Sequence, residues 1–219
     1  MKKKMTQKLF DLSNKTIILT GSAGRLGSNF AEILADAGAN LVLIDINEKE
    51  NKKLEKRITK KFKIKCISSN ANITIKKELL ELAKIIIEKF GKIDGLVNNA
   101  FYNPRTNVEQ SARKFEDYSL DLWNDVVSVN LTGVFLCSQT FGKIMAKQKE
   151  GGSIVNISSI YGINGADQRI YGDSKLNSPP SYAATKGAVV NFTKYLAAFW
   201  NRKNIRVNTM TLGGVEDKS

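Results

Sequence analysis

Residues 16–27, TIILTGSAGRLG, decide the fold of this chain. The apolar start is typical of a buried strand, and a helical pattern follows the glycines. Gly21, Gly24 and Gly27 allow a sharp turn, close approach of a ligand and tight packing of helix on strand. The free N–H groups at the start of the helix suit the anionic oxygens of a pyrophosphate. A glycine-rich turn without a ligand is the alternative interpretation, because such a loop alone is weak evidence.

An acidic residue at the end of the second apolar run strengthens the interpretation of the glycine loop as a binding site for a dinucleotide. Asp45 closes the run LVLID and lies about 20 residues beyond the loop, where a carboxylate can accept hydrogen bonds from both adenosine ribose hydroxyls. The same charge would repel the 2′-phosphate of NADP. Ile46 brings no positive charge, whereas Arg25 in the glycine loop could supply one. The sequence therefore favours NAD, with NADP as the alternative.

Short apolar runs alternate with amphipathic segments along the rest of the chain, a pattern typical of a parallel sheet covered by helices. The predicted strands are residues 16–19, 41–44, 64–67, 95–97, 153–157 and 205–208. The predicted helices are residues 26–37, 50–62, 75–90, 120–149 and 182–201, and residues 98–107 and 162–181 are predicted loops. With 219 residues, 42% of them hydrophobic, we expect one α/β domain over residues 1–219.

The absence of histidine excludes several kinds of active site. No Ser-His-Asp triad, Cys-His pair or HExxH zinc site can form without it. Cys66 and Cys137 lack CxxC spacing, so we interpret them as buried thiols in a reducing compartment and expect no metal site. Proton transfer must then use tyrosine, lysine or a carboxylate.

The net charge of +13 raises the possibility of a nucleic-acid-binding protein. The lysines are scattered, however, and residues 48–65 interleave glutamate with lysine as a solvated helix face does. No apolar run approaches the roughly 18 residues needed to span a bilayer. The lysine-rich start MKKKMTQKLFDLS has only Leu9 and Phe10 as an apolar run before the next charged residue. We therefore expect a cytoplasmic protein with no membrane partner, and a basic nucleic-acid-binding protein remains as the less favoured alternative.

Five motifs together resemble the short-chain dehydrogenase/reductase family: TGSAGRLG (20–27), NNA (98–100), VNLTG (129–133), SIVNISSIYG (153–162) and YAATK (182–186). The resemblance implies a doubly wound Rossmann sheet in three α/β/α layers, and NAD(P)-dependent oxidation of an alcohol or reduction of a ketone. The cofactor-binding residues it implies are Gly21, Ala23, Gly24, Arg25, Leu26, Gly27, Asp45, Ile46, Asn72, Ile73, Asn99, Ala100, Tyr182, Lys186 and Val215. Arg25, Phe101 and Leu212 depart from the family pattern, which has glycine, glycine and proline at these places.

The same resemblance implies four catalytic residues. Hydride transfer to a ketone needs a proton donor, and Tyr182 supplies the only matching acid, a phenol. Lys186 lies four residues further along the predicted helix, on the same face, where its ammonium favours phenolate and can hold the nicotinamide ribose. Ser159 would donate to the substrate oxygen, with Ser158 as the competing serine, and Asn130 would hold a water in the proton relay. Each of these residues alone has an ordinary structural interpretation, in a turn, a cap or a helix surface.

Ser159 and Tyr182 are further apart in the chain than is usual in the family, which indicates an insertion. The added residues GADQRIYGDSKLNSPP (165–180) would extend over the substrate mouth, so that Asp167, Gln168, Arg169 and Tyr171 could contact substrate. A solvent loop without such contacts is the alternative. Comparable long loops occur in family members that resemble the sugar-modifying oxidoreductases of bacterial surface polysaccharide and flagellin glycosylation, which favours a polar, sugar-like substrate.

Family members usually continue about 30 to 40 residues past the point where this sequence stops, through a lid-like substrate segment and a last strand. A shortened end would open one side of the pocket and expose a strand edge. A catalytically weak dinucleotide-binding or scaffold protein on the same fold is therefore the alternative to an active enzyme. Apolar residues on several faces of the helices at 120–149 and 182–201 predict a homodimer or homotetramer.

Overall fold

The computed structural model describes residues 10–102, 114–174 and 177–215. The strands are β1 (Thr16–Thr20), β2 (Asn40–Ile44), β3 (Cys66–Ser69), β4 (Gly95–Asn98), β5 (Gly152–Ser159) and β6 (Ile205–Leu212). They form one parallel sheet in the order β3-β2-β1-β4-β5-β6. Because the strand order reverses direction between β1 and β4, the carboxyl ends of these two strands border a crevice. The predicted doubly wound α/β fold is confirmed.

Helices cover both faces of the sheet. The helices are α1 (Arg25–Asp36), α2 (Glu48–Lys61), α3 (Lys76–Phe90), α4 (Leu120–Val127), α5 (Val134–Met145) and α6 (Pro180–Phe199). Ile17 and Leu19 of β1 pack with α1 and α2 on one face, and Ile18 between them packs with α3 and α5 on the other. Side chains alternate between faces along a strand, so a continuous apolar run such as TIIL serves both cores.

The predicted helix at residues 120–149 is divided in the structure. A single π-helical segment, Ser128–Gly133, joins α4 to α5 and contains Asn130. Gly133 sits at the crowded end of this segment, because a Cβ there would come within 2.5 Å of Ile73 Cδ1. An apolar pattern of helical period cannot reveal the extra residue of a π-turn, which is common at functional sites. The sequence therefore predicted the helix but not this interruption.

Smaller differences concern element bounds and the two loops. β3 begins at Cys66, two residues later than predicted, and β5 and β6 are longer than predicted. Residues 103–107 of the first predicted loop, residues 175–176 of the insertion and residues 1–9 of the lysine-rich start lie outside the described residues. In the part of the chain that the structure describes, no helix is long and apolar enough to cross a membrane.

Candidate functional site

The loop between β1 and α1 needs glycine at two of its three glycine positions. Gly21 has φ +64°, and a Cβ there would lie 2.6 Å from the Cα of Ala100. At Gly27, a Cβ would lie 2.0 Å from the carbonyl oxygen of Gly21, so the helix can approach the loop only without a side chain. Gly24 is exposed, and its φ of −71° is open to any residue. Gly21 and Gly27 therefore build the turn, whereas Gly24 leaves it open to solvent.

Asp45 is attached to this loop through its carboxylate. One carboxylate oxygen accepts a hydrogen bond from the backbone N–H of Ala23 at 2.9 Å, and the other accepts from Asn47 N–H at 2.9 Å. A carboxylate has about four lone-pair sites, so two backbone bonds leave capacity for further donors such as ribose hydroxyls. The acidic group is thus oriented at the carboxyl end of β2 with acceptor sites still available.

Asn99 and Thr20 hold the end of β4 against the loop. The Asn99 side chain donates to the carbonyl oxygens of Thr20 and Gly21, both at 3.0 Å. Thr20 Oγ1 in turn accepts from the backbone N–H groups of Asn99 and Ala100, also at 3.0 Å. Asn99 is buried, and its contacts brace the turn that the dinucleotide would approach.

A cleft of about 390 Å³ opens beside the loop, at the carboxyl ends of β1, β2 and β4. Among its lining residues are six of the predicted cofactor residues: Gly21, Asp45, Ile46, Asn72, Ile73 and Ala100. Ala23, Gly24, Leu26 and Gly27 form the loop and the first turn of α1 rather than this wall. We call this space the adenosine cleft. Its acidic end and its glycine turn, which a single Cβ would fill, fit the ribose and pyrophosphate of a dinucleotide.

Lys186 reaches from α6 across to β5. Its Nζ donates a hydrogen bond of 2.8 Å to the carbonyl oxygen of Ile157, and the side chain is buried. Burial lowers the pKa of Lys186 from 10.5 to about 8. The ammonium also lies 5.7 Å from the ring centroid of Tyr182, one helical turn earlier on the same helix. The predicted Tyr182 and Lys186 pair is therefore close in space, with the lysine beneath the tyrosine ring.

The two adjacent serines at the end of β5 make different contacts. Ser158 is buried and donates its hydroxyl to the backbone carbonyl of Lys186 at 2.8 Å. Ser159 Oγ instead accepts from the N–H of Tyr161 at 3.2 Å. Because a hydroxyl has one proton to donate, Ser158 uses its proton inside the protein, whereas this contact leaves the Ser159 proton for another acceptor. The contacts favour Ser159 as the residue that faces substrate.

A second cleft, of about 460 Å³, brings the separated parts of the predicted site together. Ser159 and Tyr182 both line it, together with Arg25 and Val215 of the predicted cofactor set. The insertion contributes Ile170, Tyr171 and Pro179 to its wall. We call this space the substrate cleft. The long chain segment between the serine and the tyrosine therefore leaves both residues in one cleft.

The other insertion residues proposed for substrate contact have partners within the loop. Asp167 and Arg169 form an exposed ion pair with an N–O distance of 2.8 Å. The side chain of Gln168 accepts from the backbone N–H of Ser178 at 3.0 Å, just before α6. Of the four candidates, Tyr171 lines the substrate cleft, whereas Gln168 ties the loop to the helix that carries Tyr182.

Asn130 lies in the π-helical segment and is buried. Its Oδ1 accepts from the backbone N–H of Tyr102 at 2.7 Å, and its Nδ2 donates to the Tyr102 carbonyl at 3.3 Å. The side chain thus replaces a backbone partner for the segment that follows β4. This contact positions Tyr102, which lines the adenosine cleft. The role of Asn130 in a proton relay stays a prediction.

Two features of the site were not predicted as functional. Phe101 lines both clefts, and its bulk at a position where the family has glycine was the sequence signal. Beneath the site, a buried chain of side chains links Asn98 to Asn156 at 2.8 Å and Asn156 to Thr193 at 2.8 Å. Asn98 and Asn156 are register partners on β4 and β5, which only strand pairing can bring together.

These features define a class: a doubly wound α/β protein in which a cleft beside a glycine turn adjoins a second cleft lined by Ser159 and Tyr182, with Lys186 buried next to the tyrosine. Residues 15–218 match the sequence profile of the short chain dehydrogenase family. The chain belongs to this family, whose members are oxidoreductases that use nicotinamide dinucleotides.

Relatives and solved structures agree with this assignment. The chain is 33% identical to the 2-dehydro-3-deoxy-D-gluconate 5-dehydrogenase of Dickeya dadantii, over 93% of this chain and 73% of that protein. It is 30% identical to the post-translational flagellin modification protein A of Campylobacter coli, over 94% of this chain and 79% of that protein. The structure of NAD+-bound xylitol dehydrogenase superimposes with a TM-score of 0.80 at 28% identity, over 94% of this chain and 73% of that one.

Proposed function

We propose that this chain is a NAD-dependent dehydrogenase/reductase that interconverts an alcohol and a ketone on a polar, sugar-like substrate. One observation carries the proposal. Ser159 and Tyr182 line one cleft, Lys186 lies beneath the tyrosine ring, and this cleft adjoins a second cleft that ends at Asp45. No histidine is present to take over the proton transfer.

The residues of the chain divide the work of the reaction. The dinucleotide, when bound, supplies or accepts the hydride. Tyr182 gives a proton to the substrate oxygen, or takes one from it, and Ser159 donates a hydrogen bond to the same oxygen. Lys186 carries a positive charge when protonated, which favours the phenolate form of the tyrosine between turnovers.

Cofactor preference depends on Asp45. The carboxylate lines the adenosine cleft and is oriented by two backbone N–H groups, so it suits two ribose hydroxyls and opposes a 2′-phosphate. Arg25 lines the substrate cleft rather than the adenosine cleft. We therefore propose NAD rather than NADP as the cofactor.

A polar, sugar-like substrate is supported by the cleft and by the relatives. Tyr161, Tyr171 and Tyr182 line the substrate cleft and combine ring surfaces with hydroxyl groups. Such amphipathic side chains suit a ring that carries hydroxyl groups. The names of a gluconate-derivative dehydrogenase and a xylitol dehydrogenase among similar proteins favour the same class of substrate.

A homodimer or homotetramer is proposed from an aromatic stripe on α5 and α6. Phe192 stacks on Tyr195 with ring centroids 6.3 Å apart, and Tyr195 stacks on Phe199 at 5.8 Å. Phe135 of α5 joins the stripe at 6.2 Å from Phe192. Tyr195 and Phe199 are exposed. Stacked exposed rings on neighbouring helices are typical of an interface.

The two buried free cysteines fit the reducing cytoplasm that we propose as the compartment.

The alternative function is a dinucleotide-binding protein with weak catalysis. It is favoured by Phe101, whose ring lies 5.3 Å from Lys186 Nζ and edge-on to Tyr182 at 6.3 Å. A ring at this place covers the two groups that must meet cofactor and substrate.

Turnover separates the two functions. Purified protein is assayed with NAD and a panel of polyols and sugar acids, and NADH binding is followed by fluorescence. Tyr182→Phe keeps the ring but removes the proton, so turnover should fall about a hundredfold or more while NADH binding stays nearly unchanged. Binding without turnover across the panel would favour the weak-catalysis alternative. Wild-type turnover in Tyr182→Phe would overturn the assigned acid/base.

A further inference from the structure

Phe101 stands at the border between the two clefts. It is the residue directly after the NNA motif, and it lines both the adenosine cleft and the substrate cleft. Its ring centroid lies 5.3 Å from Lys186 Nζ, within the range of a cation–π contact. The ring also meets the Tyr182 ring in an edge arrangement at 6.3 Å. One side chain thus contacts both residues proposed for the reacting end of the site.

The backbone on either side of Phe101 is held, so the ring is the part that can move. Ala100 N–H donates to Thr20 Oγ1 at 3.0 Å. Tyr102 makes two hydrogen bonds to Asn130 through its own N–H and carbonyl groups. The Phe101 side chain is 46% exposed, which leaves solvent-facing room for rotation about its side-chain bonds. The anchors keep the residue at the border whichever way its ring points.

Phe101 lines both the cleft that holds Asp45 and the cleft that holds Tyr182, so a ligand that spans the two clefts lies beside this ring, whereas a smaller ligand can occupy the adenosine cleft alone. We propose that Phe101 determines how strongly the chain discriminates between a full dinucleotide and its adenosine half: the ring covers Lys186 and Tyr182, and a dinucleotide must displace it to reach them. The inference rests on the proposed function, since it assumes that the two clefts hold the two halves of one cofactor. Displacing the Phe101 ring adds a free-energy cost to dinucleotide binding that a glycine at this position would not have.

Calorimetric titration of two ligands tests the proposal. NADH and AMP are titrated into wild type, Phe101→Ala and the control Phe115→Ala, whose ring is 75% exposed and lines neither cleft. Displacing a cation–π contact and an edge-to-face ring contact corresponds to about a three- to tenfold change in affinity. We expect Phe101→Ala to bind NADH more tightly by that factor and AMP with unchanged affinity. Phe115→Ala should match wild type with both ligands.

The other outcomes separate failure of this inference from failure of the proposed function. Unchanged or weaker NADH binding by Phe101→Ala, with AMP still bound, would overturn the role of Phe101 and leave the dinucleotide site intact. An equal gain for NADH and AMP would also overturn it, because the effect would then be a general change in the fold. If neither ligand binds to any of the three proteins, the proposed function itself fails, and this inference fails with it.

A chemical measurement checks that the ring covers Lys186. Acetylation of lysines is followed by mass spectrometry in the same three proteins. Lys186 should react faster in Phe101→Ala than in wild type, because the ammonium loses the ring that shields it from solvent. NADH should slow the acetylation of Lys186 in wild type and in Phe101→Ala, whereas AMP should slow it in neither of them. Equal Lys186 reactivity in wild type and Phe101→Ala would show that the ring does not cover the amine and would overturn the proposal.

Discussion

Asp45 and Ala23 are joined by a hydrogen bond of 2.9 Å from the backbone N–H of the glycine-rich loop to the carboxylate at the end of β2. The residue expected to select the cofactor therefore also helps to hold the loop that would bind its pyrophosphate. Cofactor selection and the geometry of the glycine-rich loop therefore both depend on the Asp45 side chain. Two different substitutions at Asp45 are needed to separate the two effects.

Asp45→Asn and Asp45→Ala separate the charge from the hydrogen bond. Asp45→Asn removes the repulsion of a 2′-phosphate but keeps one oxygen that can accept from Ala23 N–H. We expect the preference for NADH over NADPH to fall about tenfold in Asp45→Asn. Both affinities should be lower in Asp45→Ala than in Asp45→Asn, because the loop then also loses its hydrogen bond. Dissociation constants for both cofactors measure this. A preference unchanged by Asp45→Asn would show that another group selects the cofactor.

The glycines of the loop should differ in tolerance. Gly24→Ala places a methyl group at ordinary van der Waals distance, 3.4 Å from the Gly21 carbonyl oxygen, and should keep wild-type stability and NADH affinity within about twofold. Gly21→Ala combines a φ of +64° with a Cβ only 2.6 Å from the Ala100 backbone, so it should lower stability and weaken NADH binding at least tenfold. Thermal unfolding and NADH titration compare the two variants. Equal tolerance at both positions would contradict this geometry.

Ser158→Ala and Ser159→Ala form a matched pair of neighbouring hydroxyl deletions. Ser159→Ala removes the proposed donor to substrate and should lower turnover about a hundredfold with little change in stability. Ser158→Ala removes a buried bond to the Lys186 carbonyl and should cost about 1 kcal/mol of unfolding free energy with a smaller effect on turnover. Turnover and urea unfolding are measured for both. A larger loss of turnover in Ser158→Ala would reverse the assignment.

Lys186 should destabilise the fold at neutral pH. Its pKa is lowered by burial from 10.5 to about 8, so between these values the unfolded chain binds the proton that the folded chain has released. The penalty is present in full below about pH 8 and disappears as the pH rises toward 10.5. Lys186→Met should therefore raise the unfolding free energy by about 2 kcal/mol at pH 7. Urea unfolding should show that the gain in unfolding free energy of Lys186→Met over wild type is smaller at pH 10 than at pH 7.

Lys194→Met is the control for this prediction, because Lys194 is an exposed lysine on the same helix. It should leave stability unchanged at both values of pH. A Lys186→Met gain that stays constant between pH 7 and pH 10 would mean that packing, and not the charge, causes it.

Phe199→Glu tests the proposed interface. A charge placed in the stacked stripe of α6 would be buried between subunits and should shift the protein to monomers at micromolar concentration. Ile33→Glu is the matched control, since Ile33 is exposed on α1 on the opposite face of the sheet. Light scattering measures the mass of each protein. A monomeric wild type, or an oligomer that persists in Phe199→Glu, would show that the aromatic stripe is not a subunit interface.

Local sequence patterns predicted most of the fold. The runs around Ile18, Val42 and Ile154 are buried strands because continuous apolar segments between helices suit a sheet covered on both faces. The start of β3 was misplaced by two residues, since the strand bounds follow its pairing with β2 rather than its own composition. The π-helical segment at Asn130 was missed because its neighbours keep a helical pattern.

The sequence by itself determined the parallel α/β class, the glycine turn, the acidic end of β2 and the candidate Tyr182 and Lys186 pair, because each depends on residues close together in the chain. Only the tertiary structure decided that Ser159 and Tyr182 share a cleft across the insertion, that Ser158 bonds to the Lys186 carbonyl, and that Phe101 borders both clefts. The physical reason is that strand pairing and helix packing join residues far apart in the chain, and contacts of that range leave no periodic pattern in the sequence.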